Sequence, residues 1–355
     1  MSFEDGARNL LETCAGVTAG DRVLIVHEPD GLDYYDDGLA RDLGRIASGL
    51  KADVELVEVP FDADADSLPG RVQTLVERSD QIVFLARLGD QLRFTDIGDG
   101  RIMVVSYALS RQMMSTGFAS AHYKGFVSLA ELVDRHIAQA EKIEVTCSAG
   151  TSFSGCPSPL QSNGGEVSVR RFPKLIFAPV LAKTFSGRVA LPGFLVGTGS
   201  RYYHPYAAEF DGPVFVLFEN GRISGFEGAA TDVQRAEHHY DFVAEKFEIE
   251  RNCIHSWHAG LHPSCAYDRP ANANYERWSG SAFGNPRLLH LHTCGANPPG
   301  EISLNIPDPT IMIDGVKVWD DGICHIDRVP GAADVLARYP DCQECFRHPV
   351  REIGL

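Results

Sequence analysis

Arg22-Val23-Leu24-Ile25-Val26-His27 places four consecutive apolar residues between polar ends, and the first part of the chain is read from it. Short, continuous apolar runs of this kind are typical of strands buried on both faces of a parallel sheet. Val54–Val57, Gln81–Leu85 and Arg101–Val105 repeat the pattern, at spacings that leave room for crossover helices. Between them, Leu39, Leu43, Ile46 and Leu50 fall at helical spacing within Gly38–Leu50, and Val72–Arg78 reads as a second helix. Ser128–Ala140 reads as an amphipathic helix capped by Ser128, with Glu131 at the third helical position. Alternating strands and helices predict an α/β N-terminal domain with an open, mostly parallel sheet over residues 1–145. Neither a Gly-x-Gly-x-x-Gly nor a phosphate-cradling Gly-x-x-x-x-Gly-Lys-Ser/Thr loop follows any of these strands, so a nucleotide-binding reading has no support.

Beyond Cys147 the texture changes, with more Gly, Pro, Ser and aromatic residues. Val214–Phe218 and Ile223–Phe226 read as a hairpin that turns at Asn220-Gly221, because this dipeptide tolerates the left-handed conformation a tight hairpin needs. Ile311–Ile313 and Val316–Trp319 read as a second hairpin around Asp314-Gly315, with a further turn at Asp321-Gly322. Thr231–Phe247 reads as a helix. Residues 146–355 are therefore expected to form a strand-rich α+β C-terminal domain that carries the active site.

Composition bounds the function. The chain has 355 residues, 44% apolar and 23% charged, which is ordinary for globular proteins and long enough for about two domains. Its net charge of −16 argues against a binder of the nucleic-acid backbone. The acidic, polar N-terminus does not read as a secretory signal, and no apolar run approaches the ~20 residues needed to cross a membrane. Nine cysteines in such a chain are expected to be reduced thiols in the cytoplasm. Of 13 histidines, ten lie after residue 200. Histidine is the commonest metal ligand and acid/base group near neutral pH, so chemistry is expected in the C-terminal part.

Two short segments concentrate it. Cys253-Ile-His255-Ser-Trp-His258-Ala-Gly-Leu-His262-Pro263 holds three imidazoles at i, i+3 and i+7, on a helix or a loop. Three histidines suffice for a divalent metal if they converge; otherwise they are surface or interface residues. In Leu289-His290-Leu-His292-Thr-Cys294, strand alternation would put His290, His292 and Cys294 on one face. Weaker candidates are His325-Ile-Asp327, read as surface, and Cys342-Gln-Glu-Cys345 with His348, read as plain thiols because only half a zinc site is present. Arg201-Tyr202-Tyr203-His204-Pro-Tyr206 reads either as the wall of an aromatic pocket or as a packed loop.

The order of these segments adds a resemblance. Arg22–Val26, Ala149-Gly-Thr-Ser152, Phe218-Glu-Asn-Gly-Arg-Ile223, Ser256-Trp-His-Ala-Gly-Leu-His-Pro263, Ala282-Phe-Gly-Asn285, Thr293-Cys-Gly-Ala-Asn297 and Pro309–Gly315 form a series over nearly the whole chain. This resembles the 2,5-dihydroxypyridine 5,6-dioxygenases, which are related to the thermophilic aminopeptidase T-like metallopeptidases. The resemblance implies an α/β N-terminal domain, a C-terminal domain with the metal site, and a homo-oligomer. In the dioxygenases two His and one Asp hold a single Fe(II) and dioxygen opens a hydroxylated pyridine ring; in the peptidases two divalent metals activate a water. The family's first ligand would correspond to His255 or His258. Its His-x-Asp element falls on Ser303-Leu304-Asn305, and its acidic residue after a Pro falls in Ala178–Lys183, so the usual ligand set is not retained.

The site is therefore expected to be rebuilt or metal-free. His255, His258 and His290 are expected as metal ligands; His262, His292 and Cys294 as catalytic groups; Tyr202, Tyr203, His204, Ser303 and Asn305 as the substrate pocket. Fe(II), Zn(II) and a metal-free site all remain open. The expected activity is a dioxygenase-like reaction on a small heteroaromatic or cyclic molecule. The alternatives are a hydrolase or lyase on the same scaffold and a non-catalytic small-ligand binder.

Overall fold

The computed structural model describes residues 1–95, 100–157, 168–296 and 300–355. Asn297 of the Thr293–Asn297 stretch lies outside them. The chain forms two compact units that interleave along the sequence: Met1–Val127, Gly165–Leu175 and Arg338–Cys345, and then Ser128–Gly164, Ile176–Ala337 and Phe346–Leu355. The division therefore differs from a single cut at 145/146.

The first unit holds a five-stranded parallel sheet in the order Asp53–Glu58, Arg22–His27, Gln81–Leu85, Ile102–Ser106, Val169–Phe172. Helices Leu39–Gly49 and Gly70–Glu77 supply crossovers close to where periodicity placed them. Val23–Val26 and Ile82–Phe84 are buried, as their unbroken apolar runs require. The last strand comes from beyond residue 145, and together with Arg338–Cys345 it makes the units interleave. The helix read from Ser128 begins instead at Tyr123, so Ser128 sits inside it and is not its cap.

The first and third strands in chain order are neighbours, which makes the sheet reverse its winding between them. At that carboxyl edge the Arg87 guanidinium grips both carboxylate oxygens of Glu28, Nε to Oε1 at 3.0 Å and the terminal nitrogen to Oε2 at 2.8 Å. The Arg87 guanidinium also lies over the rings of Phe61 (3.4 Å) and Tyr34 (4.7 Å). Nearby, Asp90 pairs with Arg93 and accepts a 2.6 Å hydrogen bond from the Tyr107 hydroxyl. Glu28 also borders a cavity of about 410 Å³ with Phe61, Pro60 and Leu88.

The second unit is built from two antiparallel sheets and matches the strand-rich expectation. One has eight strands, from Arg222–Glu227 at one edge to Ile323–Cys324 at the other. Its hairpins turn at Asn220-Gly221, Asp314-Gly315 and Asp321-Gly322, all six residues having positive φ. That is the backbone of a type I′ turn, and it explains why an Asn or Asp precedes a Gly each time. The other sheet has six strands, in the order Ala207–Glu209, Phe194–Gly197, Ile302–Pro307, Leu288–Thr293, Ile254–Ala259, Val180–Leu181. Trp257 in this sheet is fully buried, edge-on to Phe153, Phe177 and Phe185. Among the described residues, no helix is long and apolar enough to cross a membrane.

Candidate metal centre

The site is a consequence of strand alternation in the six-stranded sheet. With Trp257 turned into the aromatic core, its neighbours Ser256 and His258 must face the other way. His258 pairs with His290 and Ser256 with His292 on the adjacent strand; beyond that, His290 pairs with Asn305 and His292 with Ser303. Two rows of three polar residues therefore cross the centre of the sheet: His258–His290–Asn305 and Ser256–His292–Ser303. All six are buried, none more than 7% exposed.

The three imidazoles converge. Their ring centroids are separated by 4.3 Å (His258–His290), 4.9 Å (His258–His292) and 5.0 Å (His290–His292). One ring nitrogen from each lies within 4.8 Å of the other two, and this is the one group of three such ligands among the described residues. The His258 ring is fixed by the backbone. Its Nδ1 is 3.1 Å from the Phe177 carbonyl oxygen. A carbonyl carries no proton, so Nδ1–H donates and Nε2 keeps its lone pair, the arrangement that metal-binding histidines use. Phe283 stacks on His290 at 4.3 Å and 24°.

This donor set fits a single divalent ion. Three neutral imidazoles are a sufficient set for zinc, with a fourth position left open. A tetrahedral ion with bonds of about 2.0–2.1 Å needs nitrogens roughly 3.4 Å apart, within about 1 Å of side-chain adjustment from the observed cluster. The set is not the two-His-one-carboxylate arrangement. Among the described residues no Asp or Glu joins the cluster, and Asn305 and Ser303 bond to each other, Ser303 Oγ donating to Asn305 Oδ1 at 3.2 Å.

Several expected site residues lie elsewhere. The segment of three histidines is a strand, not a helix or a loop, over Ile254–Ala259. His255 is half-buried and outside the cluster, and burial first, then the Lys183 charge, lowers its pKa. His262 is past the strand end; it is fully buried, and its backbone N–H donates to the Gly284 carbonyl at 2.9 Å. Cys294 does not share the histidine face. The strand stops at Thr293, and Cys294 turns away with φ of +59°. Its Sγ donates to the Tyr240 carbonyl, and burial pushes its thiol up to about 12, leaving it a poor nucleophile.

The tyrosine segment packs as core. Tyr202 stacks on Tyr206 at 5.7 Å, and the Tyr203 hydroxyl donates to the Glu301 carbonyl at 3.0 Å. His204 is exposed and borders an open depression of about 470 Å³ with Tyr206, Glu209 and Tyr275. Asp327 is exposed, and Cys342 and Cys345 are buried thiols that donate to the backbone carbonyls of His122 and Gly117. Sequence reasoning did not single out Ser256, Phe283 or the Phe177 carbonyl. Ser256 is two residues from His258, so alternation would have exposed it once the segment was known to be a strand.

The solved structure of 2,5-dihydroxypyridine dioxygenase from Pseudomonas putida KT2440 aligns with 94% of this chain and 99% of its own, at 15% identity and a TM-score of 0.59. The two chains share a fold. That is the fold the order of motifs implied, with sequences far diverged. AmpT from Thermus thermophilus aligns with 89% of this chain and 98% of its own, at 9% identity and a TM-score of 0.47. No family model and no curated protein matches the sequence.

Proposed function

We propose that the protein is a metal-dependent enzyme acting on a small, uncharged cyclic or heteroaromatic molecule, with His258, His290 and His292 holding one divalent ion. The convergence of three buried imidazoles carries this reading. Lewis acidity toward a carbonyl or a water is the chemistry such an ion supplies. The chain's own groups do the rest. The Phe177 carbonyl holds the His258 ring in its tautomer. Ser303 and Asn305, one strand over from His292 and His290, offer a hydroxyl and an amide that can orient a polar ring. Phe283 forms an aromatic wall beside His290. The six residues of the two rows include no charged side chain that would bind an ionic substrate.

Without a carboxylate the set matches zinc-type hydrolytic or lyase chemistry better than the two-His-one-carboxylate iron arrangement. A second reading, oxygen-dependent ring opening, is supported by the shared fold with the P. putida dioxygenase. Elemental analysis of protein purified without added metal tests the proposal. About one equivalent of zinc or iron per chain is expected, lost in His258→Ala and His290→Ala. No metal in the wild type, together with conversion of a cyclic-amide and hydroxypyridine panel that both variants leave intact, would overturn it. Turnover that requires dioxygen would select the second reading.

A further inference from the structure

We infer that Ser256 is a positioning residue that sets the tautomer of His292 and joins it to the half-buried His255. The inference rests on the three-histidine centre proposed above. Two distances carry it. Ser256 Oγ lies 2.8 Å from His255 Nδ1 and 3.3 Å from His292 Nδ1. Ser256 is fully buried.

A hydroxyl has one proton and can donate only once. It can therefore donate to one of the two rings at most, and must accept from any other ring it bonds. Hydroxyl donors make the shorter bonds and ring N–H donors the longer ones. The 2.8 Å contact is then Ser256 O–H donating to His255 Nδ1, and the 3.3 Å contact is His292 Nδ1–H donating to Ser256 Oγ. This direction leaves His292 Nε2 unprotonated and able to serve as a ligand, as the Phe177 carbonyl does for His258. The reverse direction would put a proton on His292 Nε2 and block it as a ligand.

A backbone irregularity makes the contact. The register between Ile254–Ala259 and Leu288–Thr293 shifts between Ile254 and Ser256. In a regular strand the side chains of His255 and Ser256 would point to opposite faces. A bulge re-aims one of them, which is how strands redirect side chains near functional sites. Here it brings His255 Nδ1 onto the Ser256 hydroxyl.

The test uses Zn(II) alone as the probe and needs no substrate. Competition titration of the metal-stripped full chain is expected to show zinc affinity in Ser256→Ala about 10–100-fold below wild type, the usual cost of removing a partner that orients a ligand. Nitrogen-15 NMR of the wild-type apoprotein is expected to show His292 protonated at Nδ1, and Ser256→Ala is expected to populate both tautomers. Unchanged zinc affinity in Ser256→Ala, in a protein where His292→Ala abolishes binding, would overturn the inference. A His292 protonated at Nε2 in the wild type would overturn it too, even if Ser256→Ala failed to fold. If His292→Ala itself leaves zinc binding intact, the three-histidine centre has failed instead.

Discussion

At the carboxyl edge of the parallel sheet, Glu28 and Arg87 are buried and paired side chain to side chain. On the face of the six-stranded sheet, His258, His290 and His292 are just as buried, but each brings a ring nitrogen to a common centre. The first arrangement neutralises charge internally, since a buried ion is costly unless paired. The second brings together groups whose lone pairs can hold a cation. Depth of burial is the same in both, so burial alone does not mark a site. What distinguishes the second is an unbalanced donor set: three imidazoles with no carboxylate among them.

The comparison breaks most sharply at the ion pair. Glu28→Ala strands the Arg87 charge and is expected to lower unfolding free energy by about 3–5 kcal/mol, with zinc affinity unchanged, as read from urea melts and metal titration. Loss of zinc binding at unchanged stability would reverse the roles assigned to the two regions. His239 supplies a control, a buried imidazole outside the cluster. Burial first, then His238, lowers its pKa from 6.5 to about 4. The unfolded state then binds a proton that the folded state refuses. Stability is complete above pH 6.5 and is lost as pH falls toward 4, by about 3 kcal/mol in all. Melts at pH 7 and pH 4.5 should show a smaller acid loss in His239→Leu than in wild type. The third expectation concerns the cluster. Free zinc at a hundred times its dissociation constant should stabilise the wild type by about 2.7 kcal/mol, and His290→Ala by none at the same concentration. Equal stabilisation of both proteins would remove the distinction drawn between the two regions.

Much of this was legible beforehand, and the reason is locality. The run Arg22–His27, the Leu39–Leu50 spacing and the Asn-Gly and Asp-Gly turns each encode their conformation within a few residues. Alternation along Leu289–His292 already put His290 and His292 on one face. The remaining features are settled by distant chain. Whether Cys253–Pro263 is helix, loop or strand is decided by Leu288–Thr293, which pairs with it. That pairing admits His258, sets His255 aside at a bulge and leaves His262 beyond the strand. Val169–Phe172 carries no local mark of the parallel sheet it completes, because its partner Ile102–Ser106 lies more than sixty residues away. Cys294 departs from the strand pattern through one left-handed residue, which alternation does not anticipate.

The sequence by itself determined a parallel α/β part, a strand-rich part, the turns of its hairpins and the two segments where histidines gather. Those follow from periodicity and turn chemistry, which act over a few residues. Only the tertiary structure decided which three histidines meet, because convergence depends on the register of strands thirty residues apart and on the core residue, Trp257, that fixes which face each strand presents.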